Sequence, residues 1–142
     1  MEIRQFTKED IEHVFSNLHE RCKYEIERFG EDAEGLYGRR IGEPFAVAFT
    51  DGTTPQAICY LESIGPMRWR THFAAAGGCF EAIGLPLSRF FRRFSDDLVS
   101  RSGGTIEILS AYGDDTMREW MEALGFSLES SSGFVKYIKR GN

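Results

Sequence analysis

The chain has 142 residues, 42% hydrophobic, 13% aromatic and 27% charged, and its twelve Phe supply enough burial for one core. A formal net charge of −5 argues against nucleic acid or an anionic membrane as the main partner. The opening MEIRQFTKED has no basic region followed by an apolar one, and no apolar run approaches about 18 residues, so neither a secretory leader nor a membrane span is expected. Cys22, Cys59 and Cys79 are odd in number and widely spaced, with no C-x-x-C. The expectation is buried thiols in a reducing cytoplasm, with no disulfide framework and no metal.

In chain order, EIRQF reads as a short strand, and Thr7 offers a hydroxyl cap to a helix with Glu9 and Asp10 in its first turn. Ile11, Val14, Phe15, Leu18, Cys22, Ile26 and Phe29 step by three and four, a helical stripe running to Gly30 through two helices or one bent one. His13 and His19 lie off this stripe and are expected on solvated helix surface. Residues 31–44 mix acidic residues, glycines and GRR, and Pro44 stops any helix before FAVAFT (45–50). Asp51-Gly52 then turns the chain into PQAICYLE, a returning strand.

After Gly65-Pro66, MRWRTHFAAA alternates as a third strand, with Met67, Trp69, Thr71 and Phe73 on one face. Pro86 suits the first turn of a helix whose apolar face is Leu87, Phe90, Phe91, Phe94 and Leu98. Residues 77–85 before it fit a loop, a bulged strand or a helix extension. Gly103-Gly104 closes the helix, and TIEILSAY is a strand. Asp114, Asp115 or Thr116 can cap the next helix, Thr116 and Glu119 having capping-box spacing. Met117, Trp120, Met121 and Leu124 form its buried stripe, and Gly125 stops it. FSLE, a Ser-Ser-Ser-Gly turn and FVKYIK make a terminal hairpin.

This order, closing in GDDTMREWMEALGFSLE, resembles the GNAT superfamily, the acyl-coenzyme A N-acyltransferase fold. The likeness in element order covers nearly the whole chain, and at the level of residues it concentrates in 105–129. The Trp69 strand, the Phe- and Arg-rich helix and the W-hydrophobic-x-x-LGF pattern look closer still to acetyltransferase-like proteins of tailed phages, one of them an internal virion or morphogenesis protein. The resemblance implies a single α+β domain over 1–142. Its sheet is mixed and mostly antiparallel, of about six to seven strands splayed between the fourth and fifth, with about four flanking helices.

The resemblance also implies acyl transfer from acetyl-coenzyme A to an amine. The pantetheine would lie between the strand at 67–76, along Phe73 and Ala74, and the strand at 105–112. The N–H groups around Leu87, Ser88 and Arg89, with Arg92 or Arg93, would serve the phosphates. Tyr112 is the first candidate acid, Glu62 and His72 are candidates to accept or relay a proton, and Asp114 stands where the family often has an Asn. Two family devices are absent. AAAGGCFEAIGLPLSRFF has no Arg or Gln ahead of a G-x-G, and the usual Tyr acid before GF is Met121, a thioether that donates no proton.

For each charged candidate a plainer role stands beside the catalytic one. Arg89, Arg92 and Arg93 also read as a solvated face partly paired with Asp96 and Asp97, and Glu107, which with Glu62 is a carboxylate to consider as general base facing a cleft, as a residue of the solvated side of its strand. The alternative function is a catalytically silent protein of the same shape, serving a virion, assembly or host-interaction role. Its partner would be a virion or host protein or a second copy of the chain, and its location the host cytoplasm or the virion.

Overall fold

A computed structural model describes residues 1–130 and 134–141. The elements run β1 (Glu2–Gln5), α1 (Lys8–Ser16), α2 (Glu20–Phe29), α3 (Ala33–Gly38), β2 (Val47–Thr50), β3 (Pro55–Gly65), β4 (Arg68–Ala75), α4 (Cys79–Ser102), β5 (Thr105–Ser110), α5 (Asp115–Ala123), β6 (Ser127–Ser130) and β7 (Val135–Arg140). The strands form one mixed sheet ordered β1-β2-β3-β4-β5-β7-β6, with β4 and β5 as its parallel pair. The α+β architecture is as expected, with seven strands and five helices among the described residues. From residue 131, the expected Ser-Ser-Ser-Gly turn lies outside those residues.

The chain divides into two compact units, Met1–Leu61 with His72–Leu87 and Glu62–Thr71 with Ser88–Asn142. In the first, Thr7 caps α1 in a reciprocal box: its hydroxyl accepts from the Asp10 N–H at 3.2 Å, while Asp10 Oδ2 accepts from the Thr7 N–H at 2.8 Å. Arg4 on β1 grips the same carboxylate, donating from Nη2 to Oδ1 at 2.8 Å and from Nη1 to Oδ2. Burial pushes the Asp10 carboxyl up, but the Arg4 and Thr7 bonds outweigh it and hold it below its usual range.

The helical stripe resolves into two helices. Asn17 ends α1 with its N–H on the Val14 oxygen and its side-chain amide donating to the His13 oxygen at 2.8 Å. His19 then opens α2. The stretch 31–44 also holds a helix not foreseen, α3, capped by Asp32, whose Oδ1 accepts from the Gly35 N–H at 3.1 Å. This helix delivers Tyr37 to a core of Phe6, Ile11, Val14, Ala46, Ala48, Ile58, Tyr60 and Ala74. The Tyr37 ring meets Phe6 at 5.9 Å, Phe15 at 5.6 Å and Tyr60 at 4.8 Å.

Helix α4 begins at Cys79, seven residues before the expected start, and Pro86 lies inside it. The overlooked signal is a stripe of spacing four, Cys79, Ile83, Leu87, Ser95 and Val99, all buried. It places the apolar line one position away from Phe90, Phe94 and Leu98, which are half-buried. Pro86 has no N–H for the Ala82 carbonyl, so the helix runs past one missing rung.

In the second unit, Gly104 carries the entry to β5 so close to the β3–β4 turn that a Cβ there would sit 2.1 Å from the Met67 oxygen. That oxygen accepts from the Thr105 N–H at 2.9 Å. Met67 lies in the turn rather than in the strand, with φ of 55°, a left-handed conformation that strains a side chain carrying a Cβ. The β5–β7 and β6–β7 ladders are antiparallel, pairing Ser110 with Val135 and Ser127 with Ile138.

Helix α5 shows how completely the chain satisfies a helix end. Phe126 N–H bonds the Met121 oxygen and Gly125 N–H the Glu122 oxygen, a Schellman closure with Gly125 at φ of 89°. The last two carbonyls take cations: Arg92 reaches Ala123 at 2.6 Å, and Lys139 reaches Leu124 at 2.8 Å. Lys139 is buried and also donates to Ser95 Oγ at 2.9 Å and pairs with Asp96, tying β7, α4 and the end of α5 together.

Lys139→Met should therefore cost roughly 2–3 kcal/mol in urea unfolding, because the Leu124 carbonyl and Asp96 lose a shared partner. Asp10 gives an acid signature. Folding holds its pKa below the unfolded value, so its contribution is complete above about pH 4 and is lost as pH falls through the folded value. Asp10→Asn should cost about 2 kcal/mol near pH 6, and its urea midpoint should fall less than the wild-type midpoint on going to about pH 3.

Candidate functional site

The amides of β4 point alternately to its two edges. Ala76 N–H donates to the Gln56 oxygen on β3 at 2.8 Å, so Ala75 and Gly77 face the opposite edge. That edge is not bare. His19 N–H donates to the Ala75 oxygen at 2.8 Å, Gly77 N–H donates to the Asn17 oxygen at 2.8 Å, and Leu18 bridges Ala76 in antiparallel sense. Ala75 N–H donates to Cys22 Sγ at 3.4 Å.

His19 thus has a structural place that its position off the apolar stripe concealed. Its N–H completes the bridge, its Nδ1 accepts from the Arg21 N–H at 3.2 Å to cap α2, and its ring meets Phe80 edge-on at 5.5 Å. Phe80 belongs to the first turn of α4. The stretch between β4 and α4 is only Ala76-Gly77-Gly78, with Cys79 N–H already bonded to the Ala76 oxygen. The N–H groups of Leu87, Ser88 and Arg89 lie in the interior of α4, where helix geometry directs them at carbonyls of the preceding turn.

His72 on β4 is half-buried and stacks on Tyr60 of β3, with ring centroids 4.4 Å apart and planes 15° from parallel. Tyr60 is buried, takes the edge of Tyr37, and has the Arg40 guanidinium 4.9 Å from its ring centroid. Burial pushes the Tyr37 hydroxyl well above its ordinary pKa. Arg40 and Tyr37 come from α3 and its exit, which explains why reading 31–44 as irregular missed them. Glu62, two residues beyond Tyr60 on β3, shares its face by alternation and is half-buried. On β4, Ala74 is buried in the core and Phe73 is half-buried.

In the second unit, the β4–β5 ladder pairs Arg68 with Thr105, Trp69 with Ile106 and Arg70 with Glu107, and ends there although both strands continue. The parallel pair splays from that point. Glu107 is not on a solvated side: it is 3% exposed, and its Oε1 accepts from Arg70 Nε at 2.8 Å and Nη2 at 2.7 Å. Lys136 Nζ stands 3.8 Å from its Oε2. Unpaired charge is too costly to bury, so the register that places Arg70 opposite Glu107 is what permits this carboxylate.

Tyr112 is half-buried between β5 and α5, its carbonyl accepting from Tyr137 Oη at 2.8 Å and its N–H donating to Ser110 Oγ. Asp114 occupies the N-cap position of α5 without a side-chain cap bond, so α5 starts at Asp115 and not with a Thr116 box. Met121 is 1% exposed, in the core. Ser88 Oγ accepts from Trp120 Nε1 at 3.0 Å. Arg89, Arg92 and Arg93 are exposed; Arg92 stands 3.9 Å from Asp96, and Asp97 pairs with Arg101.

Among the described residues no group of His, Cys, Asp and Glu is placed to hold a metal ion, and no helix is long and apolar enough to cross a membrane. The thiols are shielded: burial pushes Cys22 up to about 11 and Cys59 and Cys79 up to about 12.

No protein-family model and no curated protein matches the sequence. Solved structures match the fold. The GNAT domain of Streptomyces lividans PAT superposes with a TM-score of 0.69 at 14% identity, covering 97% of this chain and 89% of that one. Ard1 from Thermoplasma volcanium gives a TM-score of 0.67 at 14% identity, over 99% and 97% of the two chains. The ribosomal-protein-S18-alanine N-acetyltransferase from Escherichia coli gives 0.64 at 14% identity, over 96% and 90%. The chain has the GNAT fold over nearly its whole length.

A thiol-specific reagent should leave the folded protein nearly unlabelled near pH 8 and modify all three cysteines once denaturant is added. Rapid labelling of the native chain would contradict the burial of the thiols.

Proposed function

We propose that this chain is an acetyltransferase-type protein whose reaction is acyl transfer from acetyl-coenzyme A to an amine. The observation that carries this is the β4–β5 ladder, ended after three pairs, in a chain that matches GNAT acetyltransferases over nearly its whole length. The coenzyme's thioester places the acyl group beside the acceptor amine, and the protein's task is to orient the pair and move protons. His72, held flat on Tyr60, and Glu62 on the Tyr60 face are the groups to accept or relay the amine's proton. Tyr112 is the acid for the departing thiolate.

The amides of Leu87, Ser88 and Arg89 are committed inside α4, so phosphate charge on that stretch would be met by the exposed Arg89, Arg92 and Arg93 side chains. Arg92 is the least free of the three, since it also caps α5. Phe73 and Ala74, along β4, are the stretch to accompany the pantetheine.

A specific observation favours a second reading, in which the fold is kept and the catalysis lost. Helix occupies 79–85, where the family's phosphate loop belongs, and buried Met121 stands at the usual Tyr acid. The protein would then serve a phage virion, its assembly or a host interaction, with a virion or host protein or a second copy as partner. It would work in the host cytoplasm or within the particle, and the acidic chain makes nucleic acid the least favoured partner.

Calorimetric titration with acetyl-coenzyme A separates the two. Saturable heat that weakens about ten-fold in an Arg89→Ala, Arg93→Ala double variant supports the acetyltransferase reading. Absence of heat at millimolar coenzyme ends that reading in favour of the silent one.

A further inference from the structure

The acetyltransferase-type reading requires an extended ligand to lie along β4, and the chain's own Asn17–His19 segment already pairs with the end of that strand. We propose that Asn17–His19 is a displaceable strap, an internal competitor for the outer edge of β4, which leaves Ala75 and Gly77 before an amide-bearing chain such as pantetheine pairs there. The inference rests on the acetyltransferase-type reading and adds to it a control on access.

The chemistry of the strap is that of the ligand it would exclude. A chain running along a strand edge gives and takes main-chain hydrogen bonds, whether it belongs to the protein or to a ligand. Here His19 donates to the Ala75 oxygen and Asn17 accepts from Gly77, both at 2.8 Å. Every polar group that Ala75 and Gly77 would offer to an incoming amide chain from this edge is therefore engaged, apart from the carbonyl of Gly77. The third edge group, Ala75 N–H, bonds only a thiol sulfur, a weak acceptor.

The strap is also lightly held. It is a three-residue connection between two helix ends whose one apolar anchor, Leu18, is half-buried against the core, and α2, which follows, contains no fully buried residue. Segments with so little burial are the ones that open locally without global unfolding. The Phe80 ring against His19, itself 40% exposed, is the contact that links the strap to the first turn of α4.

His19→Pro tests this with little change of backbone. His19 has φ of −58°, which a proline ring adopts, and Leu18 before it lies in the extended bridge that precedes proline readily. The variant deletes the N–H that bonds Ala75 and the Nδ1 cap of α2. Hydrogen exchange at the Gly77 amide should accelerate by about ten-fold or more while Ala48 and Ile58 amides keep their rates, and coenzyme A should bind about ten-fold tighter than to wild type. Phe80→Ala, which frees the His19 ring without touching the strap's backbone, should shift both readouts in the same direction.

Gly77 exchange that is unchanged in both variants overturns the strap. Equal coenzyme A affinity in wild type and variants overturns it as a competitor while leaving the acetyltransferase reading standing. Faster Gly77 exchange with no coenzyme A binding by any form overturns that reading, and the competitor role with it.

Discussion

A strand edge is an unsatisfied row of donors and acceptors, and its treatment governs everything built on β4. One edge of the strand is sealed by β3, as the Ala76–Gln56 bond shows. The other pairs with β5 over three residues and then does not. Water, a ligand or another segment must take up the amides that follow, because backbone groups do not go unpartnered when the chain is packed. At Ala75 and Gly77 the segment between α1 and α2 does so. Its placement fixes where α1 stops, why α2 begins at a histidine, and why α4 can start within three residues of the strand.

The fold was legible in the sequence because its main signals are periodic. Thr7, Asp10 and the Ile11–Val14 stripe specify a capped helix, and the Gly125-Phe126 closure specifies where α5 ends. The start of α4 misled for a physical reason. Proline is so often the first residue of a helix that Pro86 outweighed the sparser stripe of Cys79, Ile83 and Leu87, which only burial makes plain. Helix α3 was concealed because six residues carry too little periodicity to stand out among glycines and acids.

The candidate site was less legible, since its features depend on pairings between distant segments. Nothing in His19 announces that its main-chain N–H will complete a bridge, and nothing in Glu107 announces burial. The second becomes intelligible only through the register that sets Arg70 opposite it, with Lys136 on its other oxygen. His72 on Tyr60 is likewise a product of β3 and β4 lying side by side, and Arg40 over the same ring of the α3 exit meeting β3. Side chains whose chemistry was foreseen singly thus acquire their surroundings from topology.

The β3–β4 turn has a consequence for anyone remodelling the molecule. An exposed hairpin tip is ordinarily the place to splice in a peptide or open new chain ends. Here the tip holds Met67 in a left-handed conformation, and the carbonyl so aimed receives the first N–H of β5 while crowding Gly104. An insertion would unseat the start of the parallel ladder, so grafting is better directed to the Asp51–Thr54 loop, whose bonds from Thr53 and Thr54 to Asp51 stay within the loop.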